Sequence, residues 1–154
     1  VLPQGWLTAI DDKGTRYGDA LLAPTTLYAP VTEALWKAGI TPHYSANITG
    51  HGWRKLLRHP KALTYRIEQV PPVPKVLAFI AKHAGHDARD AYSTFNMGAG
   101  FALFVAGSDA ERCVEVARAQ GVEAWVAGRV EAGPKQLLIE PLALRFGDDA
   151  LNLR

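Results

Sequence analysis

The stretch from Tyr92 to Phe101 constrains this chain most. Its small, polar and flexible residues, Thr94-Phe95-Asn96-Met97-Gly98-Ala99-Gly100, run directly into the most apolar strand-like segment, Gly100 to Ala106. Two glycines spaced two apart admit positive φ or a close backbone approach, and Thr94 and Asn96 set donors and acceptors beside them. A ligand can sit at such a loop. A second cluster, Ile48-Thr49-Gly50-His51-Gly52-Trp53, follows an alternating run and opens a helical stretch, and exposed N–H groups at a helix start favour an anion. Neither cluster is a nucleotide fingerprint. Leu103 stands where the third glycine of a dinucleotide motif belongs, a strand follows where a helix should, and neither cluster ends in Gly-Lys-Ser/Thr.

The rest of the chain interleaves helical and strand-like segments. Trp6 to Ile10, the turn Asp11 to Gly14 and Thr15 to Tyr17 predict a hairpin. A helix is expected over 30–38, with Pro30 in its first turn, Gly39 past its end, and Val31, Ala34, Leu35 and Ala38 on one buried face. From 43 to 49, Tyr44, Ala46 and Ile48 alternate with His43, Ser45, Asn47 and Thr49, the pattern of a strand with one polar face. A short helix from Trp53 to His59 and a strand from Leu63 to Val70 follow. Pro71, Pro72 and Pro74 then lead into a helix striped by Val76, Leu77, Ile80, Ala81 and Ala84 and closed by Gly85. His86 to Tyr92 adds a helical turn or two. Ser108 and Glu111 have capping-box spacing before a helix that runs to Gln120. Strands at 123–131 and 136–140 are expected to form a hairpin around Gly133-Pro134. This order predicts an α/β (α+β) fold, a mixed sheet flanked by helices, with Phe101, Leu103, Val105, Val126, Val130 and Ile139 in its core.

Composition removes several functional classes. With 154 residues, 48% of them hydrophobic, the chain can bury one good core. A net charge of +2 gives no general footprint for nucleic acid. No apolar run reaches bilayer length and no leader-like segment opens the chain, so a cytoplasmic protein without membrane contact is expected. The single cysteine, Cys113, reads as a small buried hydrophobe. His83 and His86 lie one helical turn apart, but no second cysteine or carboxylate pair completes a metal site. Arg54, Lys55, Arg58, His59, Lys61 and Arg66 form a basic cluster, read either as a solvated face or as a contact for a ribose phosphate.

Asn47-Ile48-Thr49-Gly50-His51-Gly52 and Thr94 to Gly100, with Leu22-Ala23-Pro24-Thr25 upstream and Glu123 to Val130 downstream, resemble in order the C-terminal half of the aminoimidazole ribonucleotide (AIR) synthetases. These are the phosphoribosylformylglycinamidine cyclo-ligases, and the resemblance spans residues 19 to 140. It implies a layered, partly ferredoxin-like architecture, while the length is that of a single domain over 1–154, with residues 1–18 read as an N-terminal hairpin extension and 148–154 as a loose tail. It also implies an ATP-dependent ring closure of purine biosynthesis, accompanied by magnesium, at a site between two halves. The N-terminal half, which holds most ATP and metal contacts and much of a homodimer interface, has no counterpart here. The chain, beginning at Val1-Leu2-Pro3, therefore reads as a fragment that is inactive alone, although processing would give the same start.

The positions assigned to a phosphorylated substrate by this resemblance are Asn47, Thr49, Gly50, His51, Gly52, Thr94, Asn96, Gly98 and Gly100. No catalytic residue is assigned. Three departures stand out: Asn47 replaces the family's histidine, His51 its middle glycine, and Ser93 a common arginine. The alternatives are a non-catalytic module for another phosphorylated metabolite and a different ATP-dependent member of the superfamily, of the selenophosphate synthetase or hydrogenase-maturation type.

Overall fold

The computed structural model describes residues 2 and 4–147, and the tail expected at 148–154 lies outside the described residues. At the N-terminal end the expected hairpin is reduced to one antiparallel bridge, Ala9 with Arg16. Asp11 closes its turn by accepting the Lys13 and Thr15 amides and the Thr15 hydroxyl. Lys75 reaches the same carboxylate at 2.9 Å. These hydrogen bonds, that of Lys75 first, hold the Asp11 carboxyl well below the usual range. The ladder extends no further because Trp6 lies in a 3-10 turn, Gly5–Leu7, and Tyr17 already begins α1 (Tyr17–Leu21).

Helix α2 (Ala29–Lys37) carries Pro30 in its first turn, and Gly39 follows it at φ +73°. Its buried stripe is Val31 and Leu35, while Trp36 on the other face is exposed. Next come β1 (Tyr44–Asn47), a 3-10 helix (Gly52–Arg58) and β2 (Leu63–Ile67). Helix α3 (Lys75–Ala84) ends at Gly85, and α4 (Ala88–Thr94) is capped by Asp87, which accepts the Asp90 amide at 2.8 Å. After β3 (Phe101–Phe104) comes α5 (Ala110–Ala119). The capping box expected at its start does not form. A 3-10 turn, Gly107–Asp109, intervenes and Asp109 occupies the N-cap without a side-chain bond, so Ser108 falls one residue out of register.

Strands β4 (Gly128–Ala132), β5 (Gln136–Ile139) and β6 (Leu144–Gly147) complete the chain. The α/β class with a mixed sheet flanked by helices is as the sequence implied, but the strands divide into two sheets. In one, β1 pairs antiparallel with β3; the other runs β4-β2-β5-β6, with β2 parallel to β5. The hairpin expected at Gly133-Pro134 is replaced by a wrap around β2, which lies between β4 and β5. Thr64 on β2, only 4% exposed, explains it. Its hydroxyl donates to the Pro134 carbonyl at 2.9 Å and accepts from Gln136 at 3.1 Å. Gly133 allows this approach, since a Cβ there would lie 2.8 Å from Thr64 Oγ1. The strand expected from 123 starts only at Gly128.

Strand β3 divides the apolar interior. Ala102 and Phe104 pack toward Ile48, Trp53, Leu57, Tyr65, Leu137 and Ile139, and Leu103 and Val105 pack toward Val31, Leu35, Ile40, Cys113 and Ala117. Fully enclosed side chains such as Leu57, Leu137 and Ile139 contribute about 1.5–3 kcal/mol each. Ile139 thus lies in the core as expected. Val126 and Val130 do not: they are 37% and 43% exposed.

Candidate functional site

Antiparallel pairing of β1 and β3 sets Asn47 opposite Phe101, and the Ile48 amide donates to the Gly100 carbonyl at 2.8 Å. The loop after β1 and the loop before β3 therefore meet at one end of this sheet. Trp53 Nε1 donates to the Asn96 carbonyl at 2.7 Å and Arg54 Nε to the Ser93 carbonyl at 3.0 Å, binding the loops to each other. Gly52 fits so closely at φ +52° that a Cβ there would lie 2.2 Å from the Tyr92 carbonyl oxygen. Only glycine is accommodated there.

The loop amides divide into engaged and open ones. The Gly52 amide donates to Thr49 O at 2.9 Å, and the Gly98 amide to Asn96 Oδ1 at 3.0 Å. Gly98 and Gly100 also serve packing, against Pro72 and Tyr28 respectively. Among the described residues the exposed Gly50 amide has no hydrogen-bond partner. Asn47 and Thr49 share the exposed polar face of β1 and its extension, and Thr94 is exposed at the end of α4. The nine positions thus converge on one end, but Gly52, Gly98 and Asn96 hold the loops together and Thr49 and Gly50 face outward.

Cations gather on that outward side. Residues three apart eclipse in a 3-10 helix, so Gly52, Lys55 and Arg58 line one edge. Lys55 Nζ donates to Thr49 Oγ1, and Arg58 Nη2 lies 3.5 Å from His51 Nδ1. Burial, with the nearby Arg58 charge adding to it, pushes the Lys55 ammonium below its ordinary value. None of the ion pairs among the described residues engages Lys55 or Arg58. His51 holds φ +83°, ψ +3°, a left-handed conformation that favours glycine.

The basic cluster seen in sequence is not one site. Arg66 lies on the four-stranded sheet, paired with Glu131 at 3.1 Å and with Glu140. Hydrogen bonds from Arg66, then Arg129, hold the Glu131 carboxyl below its usual range. His59 packs edge-on against Tyr44 with ring centroids 5.0 Å apart. His83 Nδ1 contacts the Phe79 carbonyl oxygen at 2.9 Å, and among the described residues no group of three His, Cys, Asp or Glu gathers to hold a metal. Cys113 is buried, and burial raises its thiol pKa. No described helix is long and apolar enough to cross a membrane. The sequence reading missed Tyr28, which stacks on Phe101 at 4.9 Å and fills the space beside Gly100. The period of three from Gly52 through Lys55 to Arg58 was the available signal for the cationic edge.

Comparison with known proteins gives a consistent picture. The family described as AIR synthase related protein, C-terminal domain, matches residues 4–139. The phosphoribosylformylglycinamidine cyclo-ligase of Methanococcus vannielii is 34% identical over 119 residues, covering 77% of this chain and 34% of that protein. That of Lachnospira eligens is 35% identical over 134 residues, 83% of this chain and 38% of the relative. The chain spans about a third of the length of these curated relatives.

Proposed function

Because the chain belongs to the AIR synthase related family through its C-terminal domain, we propose that it is the substrate-side domain of an ATP-dependent cyclo-ligase-like protein of purine biosynthesis. The observation that carries this reading is the meeting of the two glycine loops under the Lys55–Arg58 edge, where a phosphate finds two cations, the Thr49 hydroxyl and the Gly50 amide. Charge-assisted bonds of this kind contribute about 1.5–3 kcal/mol each. In this role Lys55 and Arg58 hold the ribose phosphate of formylglycinamidine ribonucleotide. The engaged Gly52 and Gly98 turns fix the loop walls, so little ordering remains to be done on binding.

ATP supplies the phosphoryl group that turns the formyl oxygen into a leaving group, so that the amidine nitrogen can close the ring and release phosphate. The described residues do not gather the carboxylates that magnesium requires. In this reading ATP and metal contacts, and any homodimer interface, belong to the N-terminal half of the longer relatives. His51 favours a second reading, a binding module for a different phosphorylated metabolite, because its ring stands beside Arg58 where the resembling family keeps a bare glycine.

Turnover of formylglycinamidine ribonucleotide with ATP, measured as ADP and imidazole product, separates these readings. The chain alone should turn nothing over, and adding the N-terminal part of the Methanococcus vannielii relative should restore activity. Magnesium-dependent turnover by the chain alone overturns the half-site reading. Ribose phosphate binding without turnover in the mixture supports the module.

A further inference from the structure

Exposed apolar side chains of the N-terminal segment gather on one surface. Trp6, Leu7, Leu21 and Leu22 line a hollow of about 470 Å³, with Arg16 and Asp19 beside them. Trp6 is 67% exposed and Leu22 84%. The surface is preformed. A Cβ on Gly18 would lie 3.2 Å from the Trp6 carbonyl oxygen, so the absent side chain lets the Gly5–Leu7 turn lie against α1, and the Tyr17 amide donates to the Thr8 carbonyl at 2.8 Å. Trp6 stacks on Tyr17 at 5.8 Å, Tyr17 meets Phe79 of α3 at 5.4 Å, and the Asp11–Lys75 pair ties the segment to the same helix. Leucines in a loose tail need no partner, whereas leucines and a tryptophan fixed around one hollow mark a contact surface.

Its occupant follows from charge, position and continuity. Arg16 and Asp19 take part in none of the ion pairs among the described residues, so the rim offers one charge of each sign. Such a rim gives a polyanion no purchase and suits a folded protein face, apolar at its centre and polar at its edge. The matched family domain is a C-terminal one whose match begins at residue 4, and this chain spans about a third of the length of its relatives. In such a relative the remaining polypeptide enters the domain two residues before Trp6. The exposed surface also runs on to the substrate loops: past Leu22 comes the exposed Leu27, and then Tyr28, which stacks on Phe101 and fills the space beside Gly100. We propose that Trp6, Leu7, Leu21 and Leu22, extended by Leu27, form the face on which the N-terminal half of the cyclo-ligase-like protein docks. The proposal rests on the reading of this chain as a substrate-side domain and adds which face meets the other half. Docking fills the hollow with apolar side chains of that half and carries it along the Leu22 to Tyr28 segment, so the half that holds ATP reaches the end of the sheet where the phosphate is held.

The test mixes the whole chain with the N-terminal part of the Methanococcus vannielii relative and follows the mixture by sedimentation and by methyl NMR. A one-to-one complex should form. The methyl signals of Leu7, Leu21, Leu22 and Leu27 should shift, and those of Leu57 and Leu137, enclosed in the core, should not. Leu22→Asp and Trp6→Asp should each weaken the complex at least about tenfold. Trp36→Asp, at a residue that is as exposed but does not line the hollow, should leave Kd within about twofold. If Trp6→Asp fails to fold for want of its stack on Tyr17, Leu22→Asp gives the same comparison. The proposal is overturned if no complex forms, if the complex ignores Leu22→Asp, or if the chain alone forms a dimer that Leu22→Asp dissolves, which makes a second copy the occupant. Ribose 5-phosphate separates this failure from failure of the function. Phosphate-induced shifts at Lys55 and Arg58 with no complex sink the docking face alone, whereas a complex without those shifts sinks the substrate-side reading and leaves the docking face standing.

Discussion

His51 is one of three non-glycine residues held at positive φ among the described residues, with Met97 and Ala143, and replacing it with glycine measures what that conformation costs. At φ +83°, ψ +3° the residue lies in the left-handed region, which costs a residue with a Cβ about 1–2 kcal/mol. Glycine removes that cost, but its freer unfolded chain returns about 0.4–1 kcal/mol. Among the described residues the ring's polar contact is a long one, to Arg58 at 3.5 Å, so its loss subtracts little. His51→Gly should therefore stabilise the chain by about 0.5–1 kcal/mol, raising Tm by roughly 1–4 °C for a chain of this size. His51→Ala removes the ring but keeps the strained backbone, and by the same balance should fall below the glycine variant by about 0.5–1 kcal/mol. Urea unfolding of the three proteins, with Tm from calorimetry, gives the comparison. If His51→Gly loses about 1 kcal/mol or more, the ring's contacts outweigh the backbone cost and the strain argument is wrong.

Three further predictions rest on single contacts. Gly52→Ala places a Cβ against the Tyr92 carbonyl at φ +52° and should cost about 2–5 kcal/mol in denaturant unfolding; a loss below about 1 kcal/mol contradicts the packing of the two loops. Thr64→Val leaves the Pro134 carbonyl without its donor and Gln136 without its acceptor, so it should cost about 1–3 kcal/mol, and a neutral result removes Thr64 as the reason β2 lies between β4 and β5. Asp11 has a depressed carboxyl pKa in the folded state, so its stabilisation is present above the ordinary aspartate value and lost as pH falls from about 4 toward the lowered one. Exchange of the Lys13 and Thr15 amides should accelerate over that window, and Asp11→Asn should abolish the pH dependence; an unchanged profile in the variant refutes the assignment.

Local periodicity made most elements legible, while strand partners were not. The helix read over 30–38 is Ala29–Lys37, and the polar face of β1 is where alternation put it. Alternation identifies a strand but not its neighbour, so the hairpin at Gly133-Pro134 was the nearest pairing in sequence. The Thr64 bonds that set the true order span 70 and 72 residues. Val126 and Val130 alternate as core residues do, yet they line an open cleft because no strand of the described chain covers that edge. The convergence of the two loops was legible because both adjoin strands. The use of their glycines was not: Gly52, Gly98 and Gly100 meet Tyr92, Pro72 and Tyr28, contacts that no local pattern reports.

Titration of the chain with ribose 5-phosphate, followed residue by residue by NMR, tests the central claim most directly. Saturable shifts should centre on Thr49, Gly50, Lys55 and Arg58. Lys55→Met should weaken binding roughly ten- to hundredfold, the value of one charge-assisted contact, and raised salt should weaken it further. Arg66→Met, on the other sheet and already paired with Glu131 and Glu140, should leave the affinity unchanged. Shifts that map elsewhere, or equal losses from the Lys55 and Arg66 variants, would contradict a phosphate site at the meeting of the two loops.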